Sequence, residues 1–167
     1  MERYRDAYSM RDIEQVRLIE GQAFSVGHAH DFASPLANAA SIDIAIAFPQ
    51  GMNPIFSIKG LSDGDAVGYL YEGASVTGGS AMTIINKNRA STKTSQAVAL
   101  LNPTVTSLGT PILQEILLGG TGKKGGGDDT GNGNIILKGL TTYLFRLTNQ
   151  DQNNNPHASE IILNWIE

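Results

Sequence analysis

Two histidines that lie two residues apart are the first candidates for chemistry in this chain, in the segment His28-Ala29-His30-Asp31. Side chains at positions i and i+2 of a β-strand point to the same side, so on a strand His28 and His30 would both reach toward one metal ion. The chain contains no cysteine, which excludes disulfides and thiolate zinc sites. His28 and His30 are therefore its candidate metal ligands.

The residues around this pair do not complete a metal-binding pattern. A His-x-His pair suggests a cupin, whose first motif has a glutamate a few residues further on, but Asp31-Phe32-Ala33-Ser34-Pro35 contains none. The remaining histidine, His157, lies in a polar segment late in the sequence. We expect two partly exposed histidines with no bound metal and no cofactor. A metal-dependent, cupin-like enzyme is the alternative.

A glycine-rich segment over residues 119–133 invites comparison with phosphate-binding loops. A P-loop needs Gly, four residues and then Gly-Lys-Ser or Gly-Lys-Thr before a helix, but here Lys124 stands where Ser or Thr is required. Asp128 and Asp129 lack the spacing of an EF-hand calcium loop. We interpret the segment as an exposed loop. Its predicted tip residues are Lys123, Lys124, Asp128 and Asp129.

A second polar segment runs from Asn149 to Pro156 between two predicted strands. Its asparagines and its proline are typical of turns, so we predict a hairpin tip with Asn153 and Asn154 exposed.

Nothing in the sequence predicts catalysis. No Gly-x-Ser-x-Gly segment occurs, which is the local pattern of a nucleophile elbow. Beyond the first twenty residues, Asp and Glu lie mostly in predicted turns, where carboxylates are usually solvated. Carboxylate pairs that meet only in space stay open at this point, because their spacing is not visible in a sequence. We expect a protein without enzymatic activity.

Charge is concentrated at the start of the chain. Nine charged residues lie among the first twenty, although all 167 residues together have only 12 basic and 16 acidic side chains. Large apolar residues accompany them, so we predict an N-terminal arm over residues 1–30 that contacts a neighbouring subunit, with a frayed terminus as the alternative. The predicted contact residues are Tyr4, Tyr8, Ile13, Val16, Leu18 and Ile19.

The overall charge and hydropathy also bear on the partners. The net charge is −4 and the basic residues form no cluster, so we expect no nucleic-acid partner. No apolar run approaches the ~18 residues of a membrane helix, so we expect no membrane association. The charged start of the chain argues against a secretory signal peptide.

The rest of the chain is predicted to form β-strands. Residues 41–48 alternate, with Ile42, Ile44, Ile46 and Phe48 on one side. Similar short runs follow, separated by Gly, Asn, Pro or Ser, which favours an all-β, antiparallel sandwich over residues 31–167. The other predicted strands are 53–59, 66–71, 81–86, 95–101, 112–118, 134–138, 143–148 and 160–165.

Two details of this pattern lead to further predictions. Tyr69 and Tyr71 share one side of their strand, and we favour a core-facing position for them over an exposed aromatic platform. Residues 74–80 and 103–110 both contain Val-Thr before a glycine, and we interpret them as equivalent corners of the sandwich.

The later part of the chain resembles the head decoration (cement) proteins of tailed bacteriophages. The resemblance covers roughly residues 65–167 and rests on structural motifs. These are Tyr69-Leu70-Tyr71-Glu72-Gly73, Val76-Thr77, Asn86-Lys87-Asn88-Arg89, Pro103-Thr104-Val105-Thr106, Gly109-Thr110, Leu118-Gly119-Gly120-Thr121-Gly122, the run from Leu137 to Asn149, and Asn164-Trp165-Ile166-Glu167.

The resemblance implies a jelly-roll fold and a homotrimer on the outer surface of the virion capsid, made in the host cytoplasm. Such a protein braces capsomers of the major capsid protein at three-fold or quasi-three-fold positions, and the arm would contribute to the capsid or inter-subunit contact. The alternative is a carbohydrate- or receptor-binding β-sandwich module of a phage fibre or adhesin, which predicts exposed tyrosine or tryptophan side chains.

Overall fold

The computed structural model describes residues 13–117 and 134–167. These residues form one short helix, α1 (Ile13–Ile19), and thirteen antiparallel strands. The strands are β1 (Ala23–His30), β2 (Ser41–Ala47), β3 (Ile55–Ser62), β4 (Ala66–Glu72), β5 (Ser75–Thr77), β6 (Ser80–Ala81), β7 (Ile85–Asn86), β8 (Val98–Leu101), β9 (Thr104–Ser107), β10 (Thr110–Leu117), β11 (Ile135–Ile136), β12 (Thr142–Asn149) and β13 (Ser159–Ile166).

Two sheets account for most of the strands. The five-stranded sheet has the order β11-β3-β13-β1-β7, and the six-stranded sheet has the order β10-β4-β12-β2-β8-β6. The remaining strands, β5 and β9, form a two-stranded ribbon. The prediction of a nearly all-β, antiparallel protein is confirmed.

The two sheets share one apolar core. Alternate residues of β2 turn inward, and Ile42, Ile44 and Ile46 are buried as their spacing predicts. From the opposite sheet, Phe56 and Trp165 enter the same cluster. Each fully buried side chain of this size contributes about 1.5–3 kcal/mol of transfer free energy, which makes this shared core the main stabilising element of the sandwich.

The boundary predicted for the N-terminal arm is wrong at its end. The prediction extended the arm over residues 1–30, but Ala23 to His30 form β1. This strand pairs along its whole length with β13 and, at its start, with β7. Gly27 and two histidines weaken the alternating pattern of this segment, so the sequence did not predict a strand. Its pairing with neighbouring strands shows that it belongs to the sheet.

The prediction that Tyr69 and Tyr71 face the core is also wrong for the core between the two sheets. On β4, Leu70 is fully buried between the sheets, whereas both tyrosines lie on the opposite side and are half-buried. A Cβ atom added at Gly68 would approach the Phe145 ring to 3.0 Å, so this glycine also faces the core. Because Gly68 has no apolar side chain, the hydrophobic pattern of β4 did not show which side of the strand faces the core.

The repeated Val-Thr segments are paired with each other. The segment over 74–80 contains β5, and the segment over 103–110 contains β9, and Val76 lies opposite Val105 in the ribbon. The ribbon packs against the outer side of the six-stranded sheet, where Ala45, Ala74 and Leu144 form a second, smaller buried cluster. We call this outer side of the six-stranded sheet the closed face.

Candidate interaction surface

The outer side of the five-stranded sheet has no comparable cover within the described residues, and we call it the open face. Outward positions of β3 and β13 carry Ile55, Ile162 and Ile166, all only half-buried. The edge strand β11 adds Ile136, which is 71% exposed. Ile55, Ile136 and Ile166 are neighbours in the sheet, whereas the outward Ser57 and Asn164 lie between them and Ile162. An exposed apolar patch of this kind on a folded domain is typical of a contact site.

Helix α1 lies at one end of the open face and increases its apolar character. Three of the six predicted contact residues, Val16, Leu18 and Ile19, are exposed, and Ile19 is 73% exposed. Ile13 begins the helix. Tyr4 and Tyr8 lie outside the described residues. The polar side of the short helix carries an exposed ion pair between Arg17 and Glu20, with 3.5 Å between Nη1 and Oε2.

Hydrogen bonds from Asn86 and Asn88 connect the end of α1 to the segment that follows β7. The amide nitrogen of Asn86 donates to the carbonyl oxygens of Gly21 and Lys93, each at 3.0 Å, and Asn88 donates to the carbonyl of Ile19 at 2.8 Å. Gly21 has a φ of 70°, and a Cβ atom there would lie 2.1 Å from Ser91 Oγ. Only glycine fits this position without displacing Ser91, so the turn after α1 is closely packed.

A pocket of about 210 Å³ lies between α1 and the open face. Its apolar lining comes from Leu18, Ala23, Ile55 and Ile166, with Trp165 at the base. Its polar lining comes from Gln15, Ser57, Lys87, Asn134 and Asn164. The pocket therefore joins the helix to the sheet as one continuous surface that has both apolar and hydrogen-bonding groups.

The closed face satisfies its own polar groups. Arg146 Nε and Nη2 donate to the two carboxylate oxygens of Asp43, both at 2.7 Å, and these bonds raise the pKa of Arg146. Beside this pair the rings of Tyr69 and Tyr71 stack with 5.6 Å between centroids. Burial raises the pKa of the Tyr71 hydroxyl, and the nearby Arg146 partly offsets the effect.

His28 and His30 lie on the same side of β1, as their spacing predicts, with 5.4 Å between ring centroids. Both are half-buried, and His30 Nδ1 lies 3.0 Å from the carbonyl oxygen of Ser34. Burial, with a smaller contribution from His30, lowers the pKa of His28. Within residues 13–117 and 134–167, no group of three or more His, Cys, Asp or Glu side chains is arranged to hold a metal ion.

Of the segment Asn149–Pro156, Asn149 is the buried last residue of β12, and the residues after it belong to the loop that leads to β13, in which Asn153 and Asn154 are exposed. The prediction of a hairpin tip is wrong, because β12 and β13 belong to different sheets. The interior of the loop is held by side chains that the sequence pattern did not single out. Asp151 Oδ1 accepts hydrogen bonds from the backbone nitrogens of Asn153 and Asn155, and Oδ2 lies 2.8 Å from His157 Nε2. The contact with His157 is the main reason that the pKa of Asp151 is lowered.

The imidazole of His157 connects this loop to the β3–β4 turn. Its Nδ1 lies 3.0 Å from Asp63 Oδ1, and its ring packs where a Cβ atom of Gly64 would otherwise be. These contacts give His157 a structural role, because its ring connects the loop to the β3–β4 turn. The predicted tip residues Lys123, Lys124, Asp128 and Asp129 lie outside the described residues.

No protein-family model, no curated protein and no solved structure matches this chain. In the part of the chain that the structure describes, no helix is long and apolar enough to cross a membrane.

Proposed function

We propose that this chain is a structural virion protein that decorates the outer surface of a tailed-phage capsid and cements neighbouring capsomers. The observation that carries the proposal is the open face, with exposed Val16, Leu18 and Ile19 on a helix whose last turn is hydrogen-bonded to the segment after β7. An apolar surface whose backbone is already hydrogen-bonded to the domain loses less conformational entropy on binding, which suits a permanent contact.

In this proposal the sandwich is of the jelly-roll type, and the residues before Ala23 act as its arm. The protein assembles as a homotrimer over three-fold or quasi-three-fold positions and bridges subunits of the major capsid protein. Because it binds the assembled shell and not the free subunits, each bound copy stabilises the shell by mass action. The chain has no enzymatic role and needs no cofactor.

Two measurements on the wild-type chain test this proposal. Light scattering should give a native mass about three times the chain mass of 17.8 kDa. The protein should then co-sediment with empty heads assembled from the cognate major capsid protein, and not with the unassembled subunits. A strict monomer that stays in the supernatant with heads present would contradict the proposal.

A glycan-binding module is the second candidate, because Tyr69 and Tyr71 form a stacked, half-buried pair on the outer side of β4. Aromatic rings side by side offer an apolar platform to a sugar ring. Glycan-array binding that is lost in Tyr69→Ala would favour this candidate. An array without binding, together with head binding by the Tyr69→Ala variant, would favour the capsid role.

A further inference from the structure

The pocket beneath α1 has a single charged group in its lining. Among the ten lining residues, Lys87 is the only cation, and none is a carboxylate. The other polar groups are the carboxamides of Gln15, Asn134 and Asn164 and the hydroxyl of Ser57. Lys87 lies at the exposed rim of the pocket.

Lys87 retains hydrogen-bonding capacity. Within residues 13–117 and 134–167 its ammonium forms no ion pair, and its side-chain contact is a 3.5 Å hydrogen bond from Nζ to Asn164 Oδ1. A bond of this length is weak, and an ammonium has three donors. A carboxylate is a strong acceptor for such a group, since a charge-assisted bond is shorter and stronger than a neutral one.

The backbone that carries Lys87 is fixed before any partner arrives. Its backbone nitrogen donates to the carbonyl of Ala23 at 2.9 Å, and the preceding Asn86 is buried in the network that also holds α1. The Cα position of Lys87 is therefore fixed at the rim, and its side chain is exposed. Ordering the backbone adds no further cost on binding.

The size of the pocket limits what enters it. Its volume of about 210 Å³ is below the ~300–1,000 Å³ of sites for drug-sized ligands. It is sufficient for one side chain. Leu18, Ile55 and Ile166 border the polar groups, and Ile136 lies beside Ile55 on the neighbouring strand. A polar contact that is bordered by apolar side chains is the organisation of a binding hot spot.

We infer that this pocket receives the carboxylate side chain of one aspartate or glutamate, flanked by apolar residues, from the protein partner that docks on the open face. The inference rests on the proposed function, because it identifies the chemistry of the segment by which the partner is recognised. Lys87 pairs with the carboxylate, the carboxamide of Gln15 donates a further hydrogen bond, and the flanking apolar residues cover Leu18 and Ile166.

The inference can be tested on the full-length protein without any capsid. Two capped tripeptide amides, acetyl-Ile-Asp-Ile and acetyl-Ile-Asn-Ile, are titrated into the ¹⁵N-labelled protein and followed by NMR. The two probes have the same size and differ in whether the central side chain is a carboxylate or a neutral carboxamide. The aspartate peptide should bind about two- to fivefold more tightly, with shift changes centred on Lys87, Asn164 and Gln15.

Two variants localise the effect. Lys87→Gln should bring the affinities of the two peptides together, whereas Lys59→Gln, the same change on β3 outside the pocket lining, should preserve the difference. Shifts unchanged away from residue 87 establish that the Lys87→Gln variant is folded. Equal binding of both peptides to the wild type, or an undiminished preference in Lys87→Gln, would overturn the inference.

Glucuronate is the third probe. If it binds at the pocket more tightly than the aspartate peptide, the site is for an acidic sugar and the inference is wrong. Because these titrations use no capsids, their failure is distinguishable from a failure of the proposed capsid role, which is measured by co-sedimentation with heads.

Discussion

The outer sides of the two sheets are completed in different ways. On the closed face the chain supplies its own cover, because the β5–β9 ribbon buries Leu144 and Ala45 in a second cluster. Among residues 13–117 and 134–167, α1 is the only segment that approaches the sheet on the open face, and Ile136 and Ile162 keep contact with solvent. The chain therefore covers the centre of the closed face itself, although Val98 and Ile116 at its edges stay exposed, and the described residues leave more of the open face uncovered.

The two faces also differ in whether their charged side chains find partners within the protein. On the closed face Asp43 and Arg146 form a two-fold hydrogen-bonded ion pair. On the open face Lys87 meets only a weak acceptor among the described residues. A face that satisfies its polar groups internally gains nothing from a charged partner, whereas the open face does.

The largest expected effect is on the buried cluster of the closed face. Leu144 is 0% exposed, and Leu144→Ala should lower the free energy of unfolding by about 3 kcal/mol through lost transfer energy and a cavity. On the open face, Ile162→Ala should cost only about 1 kcal/mol, because this side chain is already half in water. Urea denaturation measures both, and equal losses would contradict the distinction between the faces.

The next effect concerns the anchor of α1. Gly21→Ala should cost about 2–3 kcal/mol, because the residue has φ 70° and its new Cβ would overlap Ser91. Gly51→Ala is the matched control, since Gly51 has φ 81° but no heavy atom within 4 Å of the added Cβ. It should cost about 1 kcal/mol from backbone strain alone. Thermal unfolding with identical losses in the two variants would show that α1 is not held by this packing.

A smaller difference in stability is expected between the ion pairs of the two faces. Asp43→Asn should cost about 1–2 kcal/mol, because it weakens two charge-assisted bonds to Arg146 in a partly buried setting. Glu20→Gln removes the exposed pair with Arg17 on α1 and should change stability by less than about 0.5 kcal/mol. Chemical denaturation at low and high salt checks both values. A larger loss in Glu20→Gln would reverse the comparison.

The smallest effect on stability is expected at the exposed residues of α1. The double variant Val16→Ser/Ile19→Ser should unfold within about 0.5 kcal/mol of the wild type, because both side chains are already exposed. A loss above about 2 kcal/mol in urea denaturation would mean that these residues serve the fold and not a partner.

Much of the fold could be predicted from the sequence, because alternation along a half-buried strand is a local signal. The spacing of Ile42, Ile44 and Ile46 predicted the inward side of β2, and the apolar run before Glu167 predicted β13 with its buried Trp165. Local signals failed where a strand depends on its neighbour. Residues 81–86 looked like one strand but divide into β6 and β7, which belong to different sheets.

The candidate site was predictable only in part. Large apolar residues in a charged segment pointed to Val16, Leu18 and Ile19; these side chains are exposed, and their contact with a partner stays a prediction. The pocket was not predictable, because Lys87, Asn164 and Ile55 come from three distant segments that the sheet brings together. The anchoring role of Asn86 also depends on bonds to residues far apart in sequence.

The most direct test of the account compares the two faces in binding to empty heads. Wild type, Val16→Ser/Ile19→Ser on the open face and Ile116→Ser at the edge of the closed face are mixed with heads and sedimented. Ile116 is 64% exposed, so its substitution matches the others in exposure. We predict wild-type occupancy for Ile116→Ser and at least about a tenfold weaker attachment for Val16→Ser/Ile19→Ser. Full occupancy by the α1 variant, or its loss in Ile116→Ser alone, would contradict the account.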